Sequence, residues 1–79
     1  MPSAYVLINC ENDSEEEIIK ELRKLPESVE VYHVYGSYDL IAKVSTDTID
    51  KLKETVSWRI RRNEKIKSTL TLIAIEGQQ

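Results

Sequence analysis

The sequence predicts an α+β protein in which two helices cover one face of a four-stranded antiparallel sheet. The 79 residues contain four apolar runs of strand length. Two segments between these runs carry apolar residues at helical spacing. Gly36-Ser37 separates the second run from the third, as a tight hairpin turn does. The order is strand, helix, strand, strand, helix, strand, which is the ferredoxin-like βαββαβ arrangement.

The first strand and first helix follow from residues 4–26. Residues 4–10, "AYVLINC", form a continuous apolar run that predicts a buried strand. Ser14 or Asp13 can cap a helix whose first turn holds three acids, where the helix dipole favours negative charge. Pro26 ends this helix. Its core face is predicted to carry Ile18, Ile19, Leu22 and Leu25.

The hairpin comprises residues 29–35, "VEVYHVY", and 38–44, "YDLIAKV". Both segments are rich in β-branched and aromatic residues, which favour strands. A second helix begins near the Ser45–Asp47 cluster and ends near Asn63, and residues 66–75 form the last strand. The apolar stripe of this second helix is predicted to be Ile49, Leu52, Val56 and Ile60.

The composition indicates a single globular domain over residues 1–79, with 41% hydrophobic and 32% charged residues. The lone Cys10 cannot form an intrachain disulfide, and no CxxC pair indicates a zinc site, so we expect neither a metal nor a cofactor. The apolar stretch 4–8 is too short for a membrane span or a signal-peptide core. We therefore expect a cytoplasmic protein without membrane contact.

Charge is unevenly distributed along the chain. Residues 11–30 carry eight acids and three bases, whereas residues 51–67 carry seven bases and two acids. The basic segment could contact nucleic acid, but the net charge of −3 argues against it. The alternatives are a solvated helix face or two oppositely charged surfaces that meet in an oligomer.

Both faces of the predicted sheet are apolar, although two helices can cover only one of them. We therefore predict a homodimer in which two sheets pack face to face, an association of the dimeric α/β-barrel type. The alternative is a monomer with a moderately apolar sheet. The predicted interface residues on the strands are Tyr32, Val34, Ile41 and Ile73.

Trp58 completes the predicted oligomer interface. It lies about 180° around the second helix from Ile49, off the core stripe. An exposed tryptophan is often an interface anchor. The alternative is a bend in the helix that tucks Trp58 inward.

The element order, the hairpin "YGSYDLIAKV" and the closing strand "KSTLTLIAI" resemble the effector-binding domain of the Lrp/AsnC (feast/famine) transcription regulators. This domain is called RAM, for regulation of amino-acid metabolism. The resemblance covers essentially the whole chain. The first strand begins at Ala4, which leaves no room for the helix-turn-helix domain of the full regulators. The resemblance therefore implies a stand-alone RAM protein that does not itself bind DNA.

The resemblance also implies a function. RAM domains dimerise through their sheets, assemble into rings that are often octameric, and bind free amino acids where dimers meet. Such a protein would modulate transcription or amino-acid metabolism without being an enzyme, and could mix with full-length Lrp/AsnC-type regulators. The implied ligand-binding residues are Gly36, Ser37, Tyr38, Asp39, Ser68, Thr69 and Thr71.

The chemistry of these residues suits a zwitterion. Gly36 lets backbone amides approach a carboxylate, and Asp39 can hold an α-ammonium group. The alternative for Asp39 is a carboxylate that only caps the turn. The alternative for Ser68, Thr69 and Thr71 is that they are present because of ordinary strand propensity.

The other function that remains open is a small dimeric α/β-barrel enzyme of the monooxygenase type. Such enzymes use a histidine or tryptophan in a pocket, so the alternative depends on His33 and Trp58. The chain offers no second histidine and no paired acids at a defined spacing, which disfavours a metal site or a catalytic triad.

Overall fold

The computed structural model describes residues 2–74. The elements are β1 (Ser3–Cys10), α1 (Glu15–Arg23), β2 (Ser28–His33), β3 (Leu40–Ser45), α2 (Ile49–Glu54) and β4 (Ile66–Ala74). A π-helical segment, Thr55–Ile60, continues α2. A single sheet with strand order β2-β3-β1-β4 is antiparallel throughout, and its two central strands are β1 and β3. This architecture confirms the predicted ferredoxin-like α+β fold.

The core lies between the helices and one face of the sheet. Alternate residues of β1 and β3 point into it and are buried, and apolar residues of both helices pack against them. Burial of each such aliphatic side chain contributes roughly 1.5–3 kcal/mol. The fully buried large side chains are Val6, Ile8, Ile18, Leu22, Leu40, Val44, Leu52 and Ile60.

The second helix begins later than the sequence predicted. Strand β3 continues through Ser45, and Thr48 caps the helix by accepting a hydrogen bond from the Lys51 backbone N–H at 3.1 Å. Ile49, the first helical residue, is exposed and does not join the core stripe with Leu52 and Val56. The prediction that Ile49 belongs to the core stripe is therefore wrong. The helix only begins at Ile49, and the side chain of this residue stays exposed while Leu52 is buried.

The helix is wider in the segment Thr55–Ile60, because its backbone hydrogen bonds join residues five positions apart instead of four. The Arg61 backbone N–H donates to the Val56 carbonyl at 2.9 Å, five residues back. Val56 and Ile60 remain buried, whereas Trp58 is 61% exposed and has the Arg62 guanidinium 4.4 Å from its ring centroid. The structure thus overturns the inward-tucked alternative for Trp58.

The hairpin differs from the prediction in its connection. Strands β2 and β3 are joined by residues 34–39 rather than by a two-residue turn, so Val34 and Tyr35 lie outside β2. The Val34 N–H donates to the Asp39 carbonyl at 3.0 Å and closes this loop. On its other side, the Asp39 N–H donates to the Ile8 carbonyl of β1 at 2.9 Å.

The face of the sheet opposite the helices is defined by cross-strand rows, and we call it the open face. One row crosses all four strands and is entirely apolar. Adjacent strands are about 4.8 Å apart, so this row is roughly 14 Å long. The next row is mixed, with Glu30, Lys43, Tyr5 and Leu72, and the row beyond it is Ser28, Ser45, Ser3 and Ala74. The apolar row consists of Tyr32, Ile41, Leu7 and Leu70.

The pairing of β1 with β4 shows on which side of the sheet one predicted interface residue lies. Ile73 pairs with the buried Ala4 and therefore lies on the helix side of the sheet. Leu70 and Leu72 take its place on the open face, where they are 44% and 53% exposed. Whether Ile73 or Val34 contacts another subunit remains a prediction, but neither belongs to the apolar row of the open face.

Within residues 2–74, no helix is long and apolar enough to cross a membrane.

Candidate ligand-binding site

Asp39 lies beside the last three residues of β1, where the loop 34–39 meets the sheet. Its backbone N–H donates to the Ile8 carbonyl, and its Oδ2 accepts a hydrogen bond from the Cys10 backbone N–H at 2.9 Å. The carboxylate therefore extends the strand pairing beyond the point where the backbone ladder stops. This anchor fixes the position of Asp39 and leaves Oδ1 available to a ligand.

Asn9 and Ser68 lie on the other side of the β1 end. They are cross-strand partners on the open face, and Asn9 Nδ2 donates to Ser68 Oγ at 3.3 Å. Because β1 separates β3 from β4, the Asp39 and Ser68 backbones are about two strand spacings apart, roughly 10 Å. This separation leaves room for a small amino acid between Asp39 and Ser68. Asn9 was not among the predicted site residues, although it is the one amide side chain among the apolar residues 4–10.

Thr69 and Thr71 do not join this arrangement. They pair with the buried Ile8 and Val6, so both threonines lie on the helix side of the sheet. Thr71 lines a small cavity of about 160 Å³ beneath α2, together with Val56 and Ile73. The structure thus brings Asp39 towards Ser68 and separates both from Thr69 and Thr71, because a strand alternates its faces.

Gly36 occupies the middle of the loop with a φ of 126°. Non-glycine residues rarely adopt this conformation, although no neighbouring atom would meet a Cβ here. Ser37 beside it is exposed, and Tyr38 is half-buried. Tyr35, which the sequence analysis did not single out, is fully exposed.

Replacement of Gly36 by alanine is expected to destabilise the protein by about 1–3 kcal/mol, because the backbone must leave its conformation or bear the strain. Urea unfolding measures this change. Ser37→Ala is the matched control in the same loop and is expected to change stability little. Unchanged stability of the Gly36→Ala protein would show that the loop relaxes to a negative φ at no cost.

Cys10 ends β1 beneath this site, and burial raises the pKa of its thiol from 9.0 to about 11. The negative charges of Asp39 and Glu15 also raise this pKa. Since the unfolded thiol ionises near 9.0 and the folded thiol near 11, stability associated with Cys10 is complete below pH 9. It falls as the pH rises towards 11.

We therefore expect iodoacetamide to alkylate Cys10 slowly in the folded protein at pH 8. The pKa difference alone reduces the thiolate fraction by about 100-fold relative to the unfolded chain. Mass spectrometry of the alkylated fraction, with and without urea, measures both rates. Equal rates in the two conditions would contradict the burial of this thiol.

The two residues on which the enzyme alternative depends are not brought together within one chain. His33 is exposed at the end of the edge strand β2, with its Nε2 3.5 Å from Glu16 Oε1. Trp58 lies on the helical segment that packs near β4, the opposite edge strand. No cluster of three or more histidine, cysteine, aspartate or glutamate side chains suitable for a metal occurs among residues 2–74.

Comparison with protein families shows to which family the chain is related. The model of the Lrp/AsnC ligand binding domain matches residues 3–77. The chain belongs to the Lrp/AsnC family. This confirms the resemblance stated from the hairpin and the last strand, and it covers almost the full length of the sequence.

Two curated Lrp/AsnC relatives are regulators. The Regulatory protein AsnC of Haemophilus influenzae is 38% identical over 62 residues, which are 78% of this chain and 41% of that protein. The HTH-type transcriptional regulator FL11 of Pyrococcus furiosus is 30% identical over 73 residues, 92% of this chain and 48% of that protein. The chain thus spans less than half the length of these relatives.

The chain also resembles solved structures, two of which are of similar length. FFRP-DM1 superposes with a TM-score of 0.89 at 41% identity, covering 95% of this chain and 100% of that one. The hypothetical protein PHS023 of Pyrococcus horikoshii gives 0.87 at 39% identity, covering 95% and 90%. Escherichia coli AsnC gives 0.84 at 26% identity, with 95% of this chain and 51% of that chain covered.

Proposed function

We propose that this chain is an amino-acid-binding and oligomerisation module, not an enzyme, that modulates Lrp/AsnC-type regulation. The observation that carries the proposal is the Asp39 carboxylate, held by Cys10 at the end of β1 in a Lrp/AsnC ligand-binding domain. We further propose that residues 1–79 act as one domain in the cytoplasm, because the curated relatives are transcription regulators.

The proposed ligand is a free α-amino acid at the end of the sheet. Asp39 Oδ2 is occupied by the Cys10 N–H, so Oδ1 is the acceptor for an α-ammonium group. The backbone amides around Gly36 and the Ser37 hydroxyl suit the α-carboxylate. Asn9 and Ser68 lie at the edge of the site on the open face, where they influence which ligand side chain fits.

A second subunit completes the proposed site. Ligand sites usually bury most of the ligand surface, whereas Tyr35 and Ser37 are exposed in one chain. Tyr35 offers a large, rigid contact to a neighbouring subunit at low entropic cost. Ligand binding would then be coupled to association between dimers, which is the proposed regulatory effect.

Two kinds of surface support the proposed assembly. The apolar row of the open face suits a two-fold sheet-to-sheet dimer. In the helix layer, α1 carries most of the acids and lies near β2, whereas α2 and the residues after it carry most of the bases and lie near β4. Opposite charges on the two sides suit contacts between dimers in a ring, such as an octamer.

The same surfaces suggest how the protein acts without direct contact with nucleic acid. We propose that it associates with full-length Lrp/AsnC-type regulators by replacing one of their ligand-binding domains in a dimer or a ring. Its own charge of −3 disfavours binding to phosphate backbones.

A thermal-shift screen against the twenty amino acids tests the proposal. At a ligand concentration 100 times Kd, binding stabilises the folded state by about 2.7 kcal/mol. Each kcal/mol raises Tm by about 4–8 °C for a domain of this size. We expect at least one amino acid to raise Tm and to change the oligomer size in light scattering. No shift with any amino acid would reject the proposed function, and turnover of a quinol substrate with oxygen would favour the enzyme alternative.

A further inference from the structure

The outer edge of β4 presents backbone groups that have no hydrogen-bond partner among residues 2–74. The alternation of hydrogen bonds across the sheet identifies these groups. The Thr46 N–H donates to the Pro2 carbonyl at 3.1 Å, which continues the pairing of Ser3 with Ser45. In an antiparallel ladder, the backbone groups of successive residues point to alternate sides. Even-numbered residues of β1 therefore bond to β3, and its odd-numbered residues bond to β4.

This alternation determines which groups of β4 point outwards. Leu70 and Leu72 pair with odd-numbered residues of β1, so their N–H and C=O groups are used within the sheet. The N–H and C=O groups of Thr69, Thr71 and Ile73 point to the other side of β4. No strand lies there, because β4 is an edge of the sheet.

The side chains of β4 are exposed on both faces as well. Leu70 and Leu72 are exposed on the open face, and Ile73 on the helix side is still 41% exposed. Strand β4 has nine residues and carries no charge after Lys67. The other edge strand, β2, has six residues and carries Glu30 near its middle. Shortness and charge protect an edge against pairing, so β2 is protected and β4 is suited to receive another strand.

We propose that this edge pairs with β4 of a second copy of the chain, antiparallel and around a two-fold axis. The register that pairs all nine residues places Leu70 opposite the partner's Leu70. Thr69 then exchanges backbone hydrogen bonds with the partner's Thr71, which uses the groups that point outwards. The same register joins the apolar rows of the two open faces at Leu70. The edge contact is thus continuous with the proposed sheet-to-sheet contact.

This inference rests on the proposed sheet-to-sheet dimer, to which it adds a second contact. One strand pair buries much less than the roughly 1,200 Å² of a specific interface, so it does not hold two chains together by itself. Its backbone hydrogen bonds are directional, whereas apolar contact is not. The edge contact therefore fixes the relative orientation of the two sheets.

Hydrogen exchange of the ¹⁵N-labelled protein measures the pairing at a concentration where light scattering shows a dimer. After correction for intrinsic rates, we expect the Thr69 and Thr71 amides to exchange at least tenfold more slowly than the His33 amide. His33 is the internal control, because its N–H points outwards from the edge strand β2. Equal rates in a dimeric protein would overturn the edge pairing and leave the sheet-to-sheet dimer intact. Equal rates in a protein with the mass of one chain would overturn both.

Thr71→Pro removes one outward N–H and leaves the bonds between β4 and β1 in place, as proline does on an edge strand. We expect the Kd of the dimer to rise at least tenfold and the Thr69 amide to lose its slow exchange. Thr71→Val keeps the N–H and is expected to dimerise as the unmodified protein does. An unchanged Kd for the Thr71→Pro protein would contradict the proposal.

Oxidation of a Leu70→Cys protein tests the register, also in the event that Thr71→Pro does not fold. Directly opposite residues of this kind have Cα atoms about 4.5 Å apart, within reach of a disulfide. We expect a linked pair of chains on a non-reducing gel. Leu72→Cys is the control on the same face, since its two copies would be roughly 13 Å apart, too far for a disulfide. Absence of the Leu70→Cys link, or equal linking of both variants, would overturn the proposed pairing.

Discussion

Replacement of Ile41 by glutamate is expected to convert the proposed sheet-to-sheet dimer into a monomer of 9.1 kDa that remains folded. Ile41 is the second residue of the apolar row, between Tyr32 and Leu7. Its side chain is on the open face and takes no part in the helix-covered core. A charge there is solvated in the monomer, so we expect the single chain to keep its fold.

The effect on association is expected to be large because of symmetry. A two-fold interface contains the substituted residue twice, so two carboxylates enter the buried sheet-to-sheet contact. Taking an unpaired charge out of water costs several kcal/mol per ion. Two such charges weaken the dimer by at least about 100-fold, since each 1.4 kcal/mol is a factor of ten in Kd.

Light scattering at micromolar concentration measures this transition, and circular dichroism checks the fold. Ile49→Glu is the matched control, because Ile49 is another isoleucine outside the core but lies on α2, away from the open face. We expect this control to remain dimeric. A mass of one chain for the unmodified protein, or an Ile41→Glu protein that stays dimeric, would exclude the sheet-to-sheet dimer.

The order of elements could be predicted from the sequence because each element has its own local signal. The apolar spacing of Ile18, Ile19 and Leu22 matches one helix face, and all three are buried. Alternation in β3 correctly separates Ala42 and Val44 from Ile41. These signals depend on residues within one element, and they hold wherever the element packs.

The sides of the sheet could not be predicted in the same way. Alternation in β4 shows that Leu70 and Leu72 share one side and Ile73 the other, but not which side the helices cover. The pairing of Ile73 with Ala4 decides this point, and a register is a property of two strands. The predicted interface therefore included Ile73, which lies on the helix side, and left out Leu70 and Leu72, which lie on the open face.

The candidate site was predictable only in part for the same reason. The Gly36–Asp39 pattern is local, so the loop was identified. The contact of Asp39 with Cys10 joins residues 29 positions apart, and no periodicity reveals it.

Asp39 has two roles that different substitutions separate. One role is structural, since Oδ2 accepts the Cys10 N–H at 2.9 Å. The proposed second role is to bind an α-ammonium group through its negative charge. Asparagine keeps a carbonyl oxygen for Cys10 and removes the charge, whereas alanine removes both.

Asp39→Ala is therefore expected to lower the free energy of unfolding by about 1.5–3 kcal/mol, the value of a hydrogen bond to a charged group. It is also expected to abolish the amino-acid-induced rise in Tm. Asp39→Asn is expected to remain within about 1 kcal/mol of the unmodified protein and yet to lose the ligand-induced rise. Thermal denaturation with and without the amino acid found in the screen measures both quantities.

The thiol of Cys10 gives an independent readout of the same substitution. The charge of Asp39 contributes to the raised pKa of Cys10, so Asp39→Asn is expected to lower this pKa and speed alkylation without unfolding the protein. Asp50→Asn removes an exposed aspartate from the first turn of α2 and is expected to leave both the ligand response and alkylation unchanged. If the Asp39→Asn protein keeps the full ligand-induced rise in Tm while its alkylation is faster, the carboxylate acts on Cys10 alone. The α-ammonium group must then be bound elsewhere.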